Sequence, residues 1–113
     1  MINKYNKVKL KEVINEFQPS SFHGVTIEAS PLDIIELCEI NDIPYHENNT
    51  GEDKCNFDFE FYIPEKDIYF TVYDWKEYEP LRTERIYTFH VGAKDKHSSL
   101  IAKEYLVNEL KNK

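Results

Sequence analysis

The chain is short of glycine, with three in 113 residues, and it holds two cysteines and one tryptophan. No glycine-rich loop exists and G-K-[ST] is missing, so the chain has no P-loop. No CxxC, HxH or HExxH spacing joins Cys38 and Cys55 to His23, His46, His90 or His97. Structural metal sites show such pairs, so neither a metal nor another cofactor is implied. Two isolated cysteines without a secretion signal fit free thiols in a reducing compartment. No apolar run approaches the ~20 residues of a membrane span. The opening stretch MINKYNKVKLKEVINEF lacks the apolar segment of a signal peptide. Linkers, repeats and low-complexity segments are absent too. The expectation is one cytoplasmic domain, 1–113, that does not bind membranes.

Positive charge is what the middle of the chain lacks. The total is −7. Residues 28–67 carry twelve acids against Lys54 and Lys66, a net of −10. Residues 1–17 hold four Lys and two acids, and residues 68–113 hold seven acids and eight bases. Such a centre repels nucleic acid and attracts basic surfaces, although charge alone says nothing about fold.

What the chain has is a strand spine, Cys55–His90. Phe57, Phe59, Phe61 and Ile63 alternate with Asp58, Glu60 and Tyr62, the period of a strand with one buried face. Pro64-Glu65-Lys66-Asp67 is a turn, and Ile68–Tyr73 runs back. The predicted register sets Ile63 against Ile68, Phe61 against Phe70 and Phe59 against Val72. Glu60 then meets Thr71, and Asp58 meets Tyr73. A third strand covers Ile86–Val91, after a polar elbow at Asp74–Thr83.

Helices flank this spine. Leu10, Val13, Ile14 and Phe17 make one stripe on a Lys-rich helix over Lys4–Phe17. Val25–Glu28 is a short strand candidate. Ser30 caps a second helix, with Pro31 in its first turn and an end near Asn41. Its buried side is expected to be Leu32, Ile35, Leu37, Cys38 and Ile40. Ile43-Pro44-Tyr45 reads as extended and Glu47–Lys54 as a polar loop. A last helix opens at Ser98 or Ser99, with Ile101, Tyr105, Leu106 and Leu110 inward. The fold class is α+β: a three- to four-stranded antiparallel sheet with two or three helices, in the order α-(β)-α-β-β-β-α.

Three groups of residues carry candidate chemistry. His90-Val-Gly-Ala-Lys-Asp-Lys-His-Ser-Ser99 is a strand-to-helix loop in which Gly92, Lys94, Lys96, Ser98 and Ser99 would cradle an anion, with Arg82 and Arg85 on its rim. Asp95 opposes an anion there, and an ordinary turn is the plainer reading. Asp58, Glu60, Asp74 and His90 would form an acid–base or Mg²⁺ cluster if the outer sheet face is open, and are otherwise solvated side chains. The acids Asp33, Glu36, Glu39, Glu47, Glu52 and Asp53 would steer a basic partner, with Trp75 and Tyr78 as apolar anchors. These acids are expected not to pair within the chain, since Lys54 and Lys66 are the only bases close by in sequence.

The pairing of VYDWKEY (Val72–Tyr78) with FHVGA (Phe89–Ala93), followed by a Ser-started helix, resembles a small domain found in bacteriophage and mobile-element genomes. The resemblance covers Phe59–Leu110. It implies a viral setting inside a bacterial cell and supplies no catalytic residues.

Two readings of function follow. One is a non-enzymatic, phage-borne protein that binds and inhibits a basic host protein, such as a defence nuclease whose nucleic-acid groove an acidic surface fills. The alternative is a nucleotide-binding or sequestering module, or a nucleic-acid-linked enzyme, using Gly92–Ser99.

Overall fold

The computed structural model describes residues 21–52, 54–75 and 79–113. The expected Lys4–Phe17 helix lies outside the described residues. The elements are β1 (Ser21–Ala29), α1 (Pro31–Asn41), β2 (His46–Glu47), β3 (Phe57–Ile63), β4 (Ile68–Tyr73), β5 (Tyr87–Ala93) and α2 (Lys96–Asn112). The strands form one antiparallel sheet in the order β1-β5-β4-β3-β2. The α+β class holds, with five strands instead of three or four.

The β3–β4 hairpin has the register its alternation dictates: Ile63 faces Ile68, Phe61 faces Phe70, Phe59 faces Val72 and Asp58 faces Tyr73. Asp67 closes the turn at φ 52. Val72 faces Val91 in β5 and Tyr73 faces His90. Phe57, Phe59, Phe61, Phe70 and Phe89 are fully buried on one face. Burying such a side chain is worth about 1.5–3 kcal/mol, so this face drives the fold.

The strand suggested by Val25–Glu28 is longer, nine residues, and pairs along β5. Its register shifts between Phe22 and Thr26, and Gly24 sits in that shift at φ +84. A residue with a Cβ is strained there, so the bulge depends on glycine. Gly92 belongs to β5 opposite Phe22, and not to a loop. Ile43-Pro44-Tyr45, expected to be extended, forms no strand; the two-residue β2 follows it at His46–Glu47 and pairs with the start of β3, which takes Glu47 out of the expected polar loop.

Both helices cover the phenylalanine face. The Ser30 hydroxyl caps α1 by accepting from the Asp33 N–H at 3.1 Å. Asp42, left-handed at φ 59, ends it. The buried stripe is Pro31, Ile34, Leu37 and Cys38; Leu32 and Ile40 stay exposed, which corrects the expected set. At 100° per residue the expected residues spread around the helix, whereas the observed four share one arc. α2 starts at Lys96, before the expected serines, because Asp95 supplies the cap. Ser98, Ser99, Ala102, Leu106 and Glu109 form its buried stripe. No helix among the described residues is long and apolar enough to cross a membrane.

Candidate functional site

Asp74 is fully buried and is a structural group. One of its oxygens accepts the backbone N–H of Asn56 at 2.9 Å and of Phe57 at 2.8 Å; the other accepts the Asn56 amide at 2.9 Å. Asn56 also donates to the Glu79 carbonyl and accepts the Gly51 N–H. Asn49 pairs twice with Leu81, through N–H and C=O. This lattice ties the loop before β3 to the chain after β4. Asp74 is thereby removed from any acid–base cluster, because both its oxygens are engaged.

The other members of that cluster do share the face of the sheet opposite the helices. One row across the sheet runs His46, Asp58, Tyr73, His90, Thr26, and the next runs Glu60, Thr71, Gly92, Phe22. Phe22 stacks on the His90 ring at 4.0 Å, beside its register partner Gly92. Tyr73 meets both His90 and Trp75 edge-on, and Lys54 lies 5.7 Å from the centre of the Trp75 ring. Burial first, then the Glu60 charge, raises the Asp58 carboxyl above its usual range. Tyr69 donates to Glu60, and burial followed by that bond pushes the phenol up. Among the described residues no three His, Cys, Asp or Glu side chains gather to hold a metal ion.

The acids on α1 lie on the other side of the sheet. Asp33 and Glu39 are exposed and Glu36 is half-buried. They are not free of internal partners, contrary to expectation: Lys113 Nζ is 2.7 Å from Glu36 and 3.3 Å from Asp33. The sequence obscured this because the lysine lies 77 positions away from Glu36. Glu47 pairs in register with Phe57, so it points to the helix side. Burial first, then Glu47 and Glu39, pushes the Tyr45 phenol up; both charges are felt at one ring. Glu52 is exposed on the loop before β3. Asp53 and Tyr78 lie outside the described residues. The structure thus brings Asp33, Glu36, Glu39 and Glu47 to one side and sets Trp75 on the opposite one.

The Gly92–Ser99 segment is not an open anion cradle. The Asp95 carboxylate accepts the Ser98 N–H at 2.7 Å, and the Ser99 N–H and hydroxyl both go to the Asp95 carbonyl. Ser98 and Ser99 are buried, and the Ser98 bonds hold Asp95 below its usual carboxylate range. An anion at this helix start would meet a carboxylate in place. Lys94 and Lys96 are exposed beside it. Arg82 and Arg85 lie before β5 while Lys94 follows it, so the length of a seven-residue strand, about 20 Å, separates them. They line an open hollow of about 340 Å³ with Glu79 and Tyr87.

Asn49 and Asn56 are the residues that sequence reasoning passed over, and Lys113 reads in sequence only as a charge suited to the end of the last helix. The signal for the asparagines was the run ENNTGEDKCN, since Asn side chains bond readily to nearby backbone. Set against family models, curated proteins and solved structures, the chain matches none.

Proposed function

We propose that this chain is a small binding protein without an enzymatic reaction, which docks on a basic surface of a host protein and blocks it. The supporting observation is that α1 turns Asp33, Glu36 and Glu39 outward, with Glu47 on the same side. Opposed by a basic groove, such a surface raises association rates and rejects acidic partners. A nucleic-acid enzyme, including a defence nuclease, offers a groove of that sign. The resemblance of VYDWKEY and FHVGA to a phage-borne domain supplies the setting, the cytoplasm of a bacterial host. Asp95, capping α2, disfavours the alternative nucleotide reading.

Capture from a bacterial lysate tests the reading. Wild type and Glu36→Lys/Glu39→Lys serve as paired baits. A basic protein retained by wild type and lost by the double variant is the expected result. Equal retention by both baits rejects the acidic surface as the binding site.

A further inference from the structure

We infer that the outward face of α1 receives a basic amphipathic helix of the partner. This rests on the reading of α1 as the acidic docking surface, and it adds the partner's shape and an apolar component.

The residues on that face decide the matter. At 100° per residue, Glu39, Leu32, Glu36, Ile40 and Asp33 fall in order on one arc of about 120°. Leu32 and Ile40 are large apolar residues left 38% and 46% exposed. They sit eight residues apart, about 12 Å along the axis, with Glu36 between them. The face therefore alternates apolar and acidic groups. An apolar partner alone would bury three carboxylates with one lysine, Lys113, set against two of them, at high cost. A purely polar partner would leave Leu32 and Ile40 unused. A helix with leucine-like residues along its centre and lysine or arginine beside them satisfies both.

Two further observations support a cationic occupant. First, a lysine is already held on this face, Lys113, by Glu36 and Asp33. A partner lysine at that place would replace it. Second, the last turn of α1 contains no basic residue, while Glu39 and Asp42 stand at its end. Acids at a helix C-terminus oppose the helix dipole, so the arrangement is locally unfavourable. An open hollow of about 400 Å³ lies there, lined by Cys38, Glu39, Asp42, Ile43 and Pro44. A lysine or arginine stem fits against Ile43 and Pro44 with its charge between the two acids.

The test uses the full chain and two synthetic peptides. One is an amphipathic helix of leucine and lysine; the other has the same composition, scrambled to destroy the apolar stripe. Titration calorimetry measures affinity, and backbone amide shifts locate the site. Wild type should prefer the amphipathic peptide by about tenfold, with shifts on α1. Leu32→Ser/Ile40→Ser should lose most of that preference. Leu100→Ser, at a site 50% exposed near the start of α2, whose opposite end carries the Lys113 that meets α1, should keep it. Lys113→Ala should bind at least as tightly as wild type, since the competing internal cation is gone. If Glu36→Lys/Glu39→Lys weakens binding but Leu32→Ser/Ile40→Ser does not, the inference falls and the acidic reading stands. If neither weakens it, or the shifts map elsewhere, both fall. Circular dichroism on each variant confirms the fold, and Ile40→Thr replaces the double variant should that one unfold.

Discussion

Asn56 and Asp74 are eighteen residues apart in sequence and share two hydrogen bonds inside the protein, backbone N–H and side-chain amide both going to one carboxylate. With the Phe57 N–H they make the anchor that fixes where β3 begins against the end of β4. Deleting the acceptor leaves three donors without it, and each unsatisfied buried group costs about 1–3 kcal/mol. Asp74→Ala is therefore expected to lose about 3 kcal/mol or more in urea unfolding, a large share of a small domain's stability. A loss below about 1 kcal/mol would show that water replaces the carboxylate.

Asp58 gives the opposite sign. Its folded carboxyl is raised above its usual value, chiefly by burial, next by Glu60. The folded state therefore holds this proton more tightly than the unfolded state does. The contribution is complete below the unfolded pKa and is lost as pH rises through the raised one. Asp58→Asn, which stays neutral, should be the more stable protein at pH 7, with the advantage shrinking on acidification. Melting curves at pH 4 and pH 7 check this; wild type more stable than Asp58→Asn at pH 7 contradicts it.

The two thiols should differ in reactivity. Burial first, and the Glu39 charge second, push Cys38 up to about 12, and its side chain has no exposure. The thiolate is the nucleophile, so Cys38 should be inert near pH 8. Cys55 is half-buried. Ellman's reagent is expected to consume one equivalent in the native protein and two in denaturant. Two equivalents at the native rate would mean that α1 opens readily.

Much of the fold was legible because hydrophobic period is local. Phe57 to Val72 reads as a hairpin from alternation alone, and the Ser30-Pro31 start of α1 needs no tertiary information. What failed needed distance. Leu32 and Leu37 are alike in sequence, and only the position of the sheet makes one exposed and the other buried. Gly92 reads as a turn until Phe22, seventy positions earlier, is laid beside it. The candidate site follows the same rule. The acids of α1 were visible as a run of charge, but their pairing with Lys113 was not. The separation of Trp75 from them was equally hidden: alternation places Tyr73 on the outer face, but not Trp75 against it.

Core and surface should respond differently to truncation. Phe61 is fully buried against Phe70, with ring centres 5.2 Å apart. Phe61→Ala is expected to cost about 3–5 kcal/mol. Ile86→Ala, at 65% exposure, should change stability by less than about 0.5 kcal/mol. Equal melting temperatures for the two variants would contradict the burial of the phenylalanine face.

The acidic face of α1 is tested most directly by the salt dependence of association. Stopped-flow rates of wild type and Glu36→Lys/Glu39→Lys with the captured basic partner should be compared from low to high ionic strength. Wild type should associate faster at low salt, and the two should converge as the Debye length falls toward about 3 Å at 1 M. The double variant should keep its fold, since Glu39 is exposed and the Glu36 carboxylate that meets Lys113 is part-exposed, and ion pairs open to solvent contribute about 0–1 kcal/mol. Identical rates with identical salt slopes would contradict the role of this surface.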